Sequence, residues 1–243
     1  MLAVISDIHA NLEALEVVIS DTKKRGIKDL IFLGDAVGYG PDPEVVVEIL
    51  RSECISIIAG NHDRAVVDPG LDEYFNEIAR EAILWTRSVL SEKVKGFLKK
   101  LPFVSIYRHN EVDIFTVHAS PREPEKWHYI LTLSDAQINF YYFNERICFI
   151  GHSHYPFVVE RSDSGELTVM KENHCILKDN CRYIINAGSV GQPRDGDPRA
   201  CYVIFNGREI DFIRLEYDFK KTQKKMKEAG LPAPLIERLE KGV

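Results

Sequence analysis

Five short polar clusters stand out in the sequence because each follows directly on an apolar run. Asp7-Ile8-His9 follows LAVIS, Gly34-Asp35 follows LIFL, Gly60-Asn61-His62-Asp63 follows ISIIA, His118 follows DIFTV, and Gly151-His152-Ser153-His154 follows ICFI. Taken singly, each has an ordinary structural use. Gly, Asn and Asp tolerate the backbone angles of turns, Asp7 would cap a following helix, His118 would sit satisfied in a core, and Gly-His-Ser-His would make a polar turn. Together they supply two carboxylates, an amide and several imidazoles, a metal-ligand set of mixed oxygen and nitrogen type.

Such a set works only if the elements before each cluster end at the same place. The strand-like segments 2–6, 29–35 and 54–60 alternate with helical patterns at 11–25, where Leu12, Leu15, Val18 and Ile19 share a face, and at 43–50, which a proline opens. This spacing predicts parallel βαβ units in an α/β sheet, and the carboxyl ends of parallel strands share one edge where ligand crevices form. A helical pattern over 72–100 reads as an insertion, taken with its flank as 64–100, either a lid or a plain packing pair. Strand signals return at FVSIY, VDIFTVH and RICFIGH and continue in short runs to 217, with a helix over 134–143. Two charged amphipathic helices, broken at Gly230-Leu231-Pro232, are expected over 218–243. The expectation is a single domain over 1–243.

Composition bounds the function. The 243 residues include 45% hydrophobic and 28% charged residues, and 31 Lys+Arg against 37 Asp+Glu leave a formal net charge of -6. That balance recruits neither nucleic acid nor an anionic membrane, so any phosphate binding must be local. The first apolar run is interrupted too early for a signal peptide, and no stretch approaches the ~20 apolar residues of a membrane span. The five cysteines, Cys54, Cys148, Cys175, Cys181 and Cys201, are odd in number, with Cys54, Cys148 and Cys201 in strand-like runs. Reduced thiols and a cytoplasmic location are expected. His174, Cys175 and Cys181 lack the further pair that would complete a zinc site.

In this order, the series D-x-H, G-D, G-N-H-D, H and G-H-x-H resembles the calcineurin-like metallophosphoesterase superfamily, over residues 2 to 216. The resemblance implies a four-layer αββα sandwich of two mixed β-sheets flanked by helices, with the site on one edge. It implies that Asp7, His9, Asp35 and His154 hold one metal and that Asp35, Asn61, His118 and His152 hold the other, with Asp35 as the bridge. A shared carboxylate can keep two cations ~3.5 to 4 Å apart, and a water between them becomes a hydroxide near neutral pH. Two carboxylates neutralise only part of the charge of two divalent ions, and the excess suits an anionic ester. No ligand is a thiolate, so manganese, iron, cobalt, nickel and zinc all stay open. His62 would donate a proton to the leaving oxygen, and Asp63 would orient His62 or cap the turn.

The substrate is expected to be a small phosphate ester, a phosphodiester or nucleotide, rather than nucleic acid or membrane; an oligomer is left open. GDAVGYG places Tyr39 where diadenosine tetraphosphatases and protein serine/threonine phosphatases carry a phosphate-gripping Arg, and Gly38 stands where purple acid phosphatases carry a ligand tyrosine. The glycine-rich NAGSVGQPRDGDPRA over 186–200 resembles a loop of bacterial and archaeal phosphodiesterase-like members, and its Arg194 would reach a phosphate. Tyr39 is grouped with Arg194 as substrate-binding. The alternatives are a phosphomonoesterase, a dinucleoside polyphosphate hydrolase, or a non-catalytic protein-binding scaffold of this fold, as a retromer subunit is.

Overall fold

The computed structural model describes residues 1–170 and 172–243. The chain opens with β1 (Leu2–Ile5), α1 (Leu12–Lys24), β2 (Asp29–Phe32), α2 (Pro43–Glu53) and β3 (Ser56–Ile57), the expected parallel crossovers. Asn11 caps α1 by accepting the Ala14 N–H, and Pro43 opens α2 where its missing N–H costs nothing. β3 is shorter than the strand expected over 54–60. The Cys54 N–H bonds to Leu50 O, so Cys54 closes α2 instead of lying in a strand, and only Ser56 and Ile57 pair with β2.

Helical structure then begins inside GNHD itself. α3 (Asn61–Val67) starts there because the Asp63 carboxylate accepts the Gly60 N–H at 2.9 Å and caps the new helix. A 3-10 turn over 71–74, α4 (Glu77–Val89) and α5 (Glu92–Leu98) follow. The pattern over 72–100 is divided because Asn76 and Ser91 each cap a fresh start. Next come β4 (Val104–His109), β5 (Val112–Val117), α6 (Leu133–Asn139), β6 (Ile147–Ile150), β7 (Phe157–Arg161), β8 (Leu167–Met170), β9 (His174–Ile176), β10 (Arg182–Asn186), β11 (Ala200–Phe205), β12 (Glu209–Leu215), α7 (Phe219–Glu228) and α8 (Ala233–Lys241). α6 ends before the expected 143, and Phe140 and Phe143 beyond it turn inward against Ile150 and Ile184.

The strands form two mixed sheets, ordered β3-β2-β1-β11-β12-β9 and β4-β5-β6-β10-β7-β8. Alternating side chains explain why they stack. Leu2, Val4, Ile31, Val203 and Phe205 face Ile114, Ile147, Phe149 and Ile185 between the sheets. Ala3, Ile5, Leu30, Phe32 and Tyr202 point the other way, onto α1 and α2. Cys148, Ile150 and Ile184 meet Phe140 and Phe143 on the outer face of the second sheet. Both faces of the central strands are therefore apolar, as in sheets covered on both sides. These are the four layers of the αββα sandwich.

α7 and α8 pack Met226, Leu235, Ile236 and Leu239 against Tyr39, Ala79 and Ala82. Thr222 Oγ1 donates to Glu13 Oε2 at 2.9 Å, and Lys225 pairs with Glu13 and Asp42. The C-terminal helices thus lie over the turns that follow β1 and β2. No helix among the described residues is long and apolar enough to cross a membrane, and all five cysteines are free thiols.

Candidate metal centre and substrate cleft

The turns after β1, β2, β5 and β6 are stitched into one rim by their backbones. Asp7 N bonds to Gly34 O, His9 N to Asp35 O, and Gly151 N to His118 O at 2.8 Å. Two close approaches need glycine. A Cβ on Gly60 would lie 2.0 Å from Asp35 Oδ1, and one on Gly151 would lie 2.5 Å from Asp7 Oδ2. The rim is also strained: Asp7, His9, Ala10, Asp35, Tyr39, His152 and His154 all have positive φ, between 51° and 65°.

This backbone aims each carboxylate. Asp7 Oδ2 accepts the His152 N–H at 3.0 Å, and Asp35 Oδ1 accepts the His62 N–H at 2.9 Å. The other oxygens face imidazoles: Asp7 Oδ1 is 3.2 Å from His154 Nε2, while Asp35 Oδ2 is 3.3 Å from His118 Nε2 and 3.6 Å from His9 Nε2. The imidazoles are aimed from behind. His9 Nδ1 donates to Val37 O at 3.1 Å, His118 Nδ1 to Leu33 O at 2.9 Å and His154 Nδ1 to Gln192 O at 2.6 Å. A carbonyl only accepts, so each Nδ1 carries a proton, and it is Nε2 that presents a lone pair inward when the ring is neutral, the arrangement that orients metal-ligating histidines.

That arrangement fits bound cations better than it fits itself. His9 Nε2 and His154 Nε2 face each other at 3.1 Å with both Nδ1 protons committed elsewhere. Asp7 Oδ1 and His152 Nε2 are sealed from solvent without a hydrogen-bond partner among the described residues, and an unsatisfied buried polar atom costs ~1–3 kcal/mol. Burial alone would lower His118, yet the Asp35 and Asp7 carboxylates hold it up at about 9, so the cluster draws positive charge inward. The donor atoms gather as Asp7, His9 and His154 on one side and Asp35, His118 and His152 on the other, each trio within 4.8 Å. Asn61 Oδ1 joins the second at 3.1 Å from His118 Nε2.

His62 lies at the edge of this cluster. It touches Tyr39 and His9 with ring centroids 4.4 and 4.8 Å away, and burial pushes it down to about 4. Its Nδ1 has no hydrogen-bond partner among the described residues, and it forms a third trio with His9 and Asp35. The Asp63 carboxylate makes no hydrogen bond to the His62 ring among the described residues. That carboxylate accepts the N–H groups of Gly60, Asp35, Ala36 and Val37, so Asp63 caps the backbone that carries Asp35. His174 pairs with Asp211 on an outer strand, and no metal-capable group among the described residues includes it, Cys175 or Cys181.

The cluster floors a cleft of about 450 Å³ that Tyr39 and Arg194 line. Sequence reasoning missed several of its walls: Tyr74, Phe75, Trp127, Tyr129 and Arg238. Tyr129 stacks on His152 with centroids 4.1 Å apart, but nothing in the sequence around these residues distinguishes them from packing or surface positions. The carbonyls of Leu33, Val37 and Gln192 were equally hidden, since a backbone oxygen has no side-chain signature.

Comparison with known proteins places this geometry in context. The chain is 43% identical to an uncharacterized protein of Methanocaldococcus jannaschii, over 98% of this chain and 97% of that one. It is 42% identical to a metallophosphoesterase of Sphaerobacter thermophilus whose crystal structure covers 100% of this chain and 98% of its own, with a TM-score of 0.86. A hypothetical protein of Pyrococcus horikoshii, 21% identical, shares the fold over 100% of this chain and 98% of its own at a TM-score of 0.79. The sequence profile of the calcineurin-like phosphoesterase superfamily domain matches residues 1–209. Because that match spans every cluster that meets at the rim, the chain belongs to the calcineurin-like phosphoesterase superfamily.

Proposed function

We propose that the protein is a two-metal phosphoesterase that hydrolyses small phosphate esters of the phosphodiester or nucleotide type. Asp7, His9, Asp35 and His154 would hold one divalent ion, and Asp35, Asn61, His118 and His152 the other. The ions would supply Lewis-acid stabilisation of phosphoryl charge and lower the pKa of an attacking water. The supporting observation is the set of three imidazoles whose Nδ1 protons are tied to main-chain carbonyls while their Nε2 atoms converge on two carboxylates.

His62 gives its proton to the leaving oxygen. The free ring is held near 4, and an anionic phosphate beside it favours the imidazolium that this role needs. Tyr39 and Arg194 orient the ester, and the buried rim keeps bulk water from the reacting group. Aromatic side chains at Tyr74, Phe75, Trp127 and Tyr129 favour an ester with a flat ring, such as a nucleotide, over a simple alkyl phosphate.

Hydrolysis of bis-nitrophenyl phosphate by chelator-treated protein, before and after adding manganese, tests the reaction. Activity is expected to appear with the metal. A screen of cyclic nucleotides, dinucleoside polyphosphates and monophosphates then separates diester from monoester preference. Absence of turnover on every ester with manganese, iron, cobalt, nickel and zinc would favour the protein-binding scaffold.

A further inference from the structure

A second concentration of positive charge lies in the wall of the cleft, outside the cluster of imidazoles and carboxylates. Arg194 comes from the loop after β10 and Arg238 from α8, and they meet at one side chain. Arg194 Nη2 donates to Gln192 Oε1 at 2.8 Å, and Arg238 Nη1 donates to the same oxygen at 3.4 Å. Each guanidinium carries five N–H donors, yet what they meet is neutral: the Gln192 amide oxygen for both and, for Arg194, the Tyr39 phenol beside it. Among the described residues neither is paired with a carboxylate, and the Nε of each is buried without a partner. Burial and the neighbouring Arg194 charge pull the Arg238 guanidinium below its ordinary value. Two half-buried like charges around one neutral oxygen lack the anion that guanidinium geometry matches, a carboxylate or a phosphate.

Gln192 links this pair to the reacting end of the cleft, since its main-chain oxygen accepts from His154 Nδ1 at 2.6 Å while its side chain holds both arginines. Arg238 lies on a helix beyond residue 209, where the superfamily match stops. α8 is held there by Leu235, Ile236 and Leu239, which pack against Tyr39 and α4. Arg238 therefore lies outside the matched domain, on a helix in contact with the turn that carries Tyr39.

We propose that Arg238 and Arg194 bind a second phosphate of the substrate, so that the preferred ester is nucleotide-like and carries a further phosphate beside the one hydrolysed. The assignment of the hydrolysed group rests on the phosphoesterase reading above; the second phosphate rests on the arginine pair.

Calorimetric titration of the metal-containing protein with α,β-methylene-ADP and with AMP tests the pair by binding rather than by turnover. Wild-type protein is expected to bind the two-phosphate probe at least ~10-fold more tightly, about 1.4 kcal/mol. Arg238→Ala and Arg194→Ala are expected to bring that ratio to ~2 or below, with Arg238→Lys between, because an ammonium keeps the charge and loses the fork. Thermal melting checks that each variant is folded, and Arg238→Lys serves if an alanine variant is not. Equal affinities in the wild type, or an undiminished ratio in folded Arg238 variants, would overturn the proposal. Bis-nitrophenyl phosphate hydrolysis by the same preparation reports the reaction separately. If it is absent while the binding ratio stands, the phosphoesterase reading fails and the phosphate site survives.

Discussion

Phe149 and His152 are three residues apart, yet they belong to regions built on opposite terms. Phe149 is fully buried between the sheets, edge-on to Phe205 at 6.1 Å, within a regular strand. His152 is almost as buried, but its φ is 65° and its Nε2 has no hydrogen-bond partner among the described residues. No residue inside any described strand has a positive φ, whereas seven non-glycine residues on the rim do. Left-handed backbone costs an L-residue roughly 1–2 kcal/mol, and a buried unsatisfied atom adds to that. The rim holds this conformation because the interior beneath it fixes where each strand ends. Stability is concentrated in one region and used in the other.

Four substitutions probe that division. The largest effect is expected at His62. His62→Ala should lower the rate with a ribose-type phosphodiester by ~10² to 10⁴ and far less with a nitrophenyl ester, whose leaving group departs unprotonated. Elemental analysis should find its metal content unchanged; equal losses on both esters, or a lost metal, would make His62 a ligand or a structural residue. Phe149→Ala should do the reverse. Denaturant unfolding is expected to show a loss of ~3–5 kcal/mol, with turnover per folded molecule kept well below the lowered melting temperature. The smallest effect compares two buried alanines. Ala3→Gly in β1 should cost ~1–2 kcal/mol through backbone entropy and a lost methyl. Ala10→Gly, where φ is 53°, should be nearly neutral, because relief of left-handed strain offsets the same losses. Equal costs at both positions would remove the strain from the account.

The interior was the legible region. Apolar strands with helix patterns between them led to parallel βαβ units in an α/β sheet, and the two mixed sheets followed from the superfamily resemblance that the polar clusters carry. The polar clusters were equally legible, because Asp7, Asp35, His118 and His152 all come within three residues of the ends of their strands. Legibility failed where main chain does the work. The carbonyls that aim His9, His118 and His154 leave no mark in the sequence, and the start of α3 at Asn61 depends on a cap that looked like turn chemistry. Arg238 was invisible for another reason: in an amphipathic helix rich in Lys and Glu, an arginine on the inner edge reads as solvated charge until the packing of α8 on Tyr39 is known.

The account turns on Asp35, whose Oδ2 lies 3.3 Å from His118 Nε2 and 3.6 Å from His9 Nε2, closer to both than Asp7 Oδ1 at 3.9 and 3.8 Å. Metal content and bis-nitrophenyl phosphate hydrolysis, measured together on wild type and Asp35→Asn after reconstitution with manganese, test it most directly. Two ions per wild-type chain are expected, with a lowered count and no turnover in the variant, because a neutral amide does not bridge two cations. Near-normal turnover by Asp35→Asn with two ions bound would contradict the two-metal site at the rim.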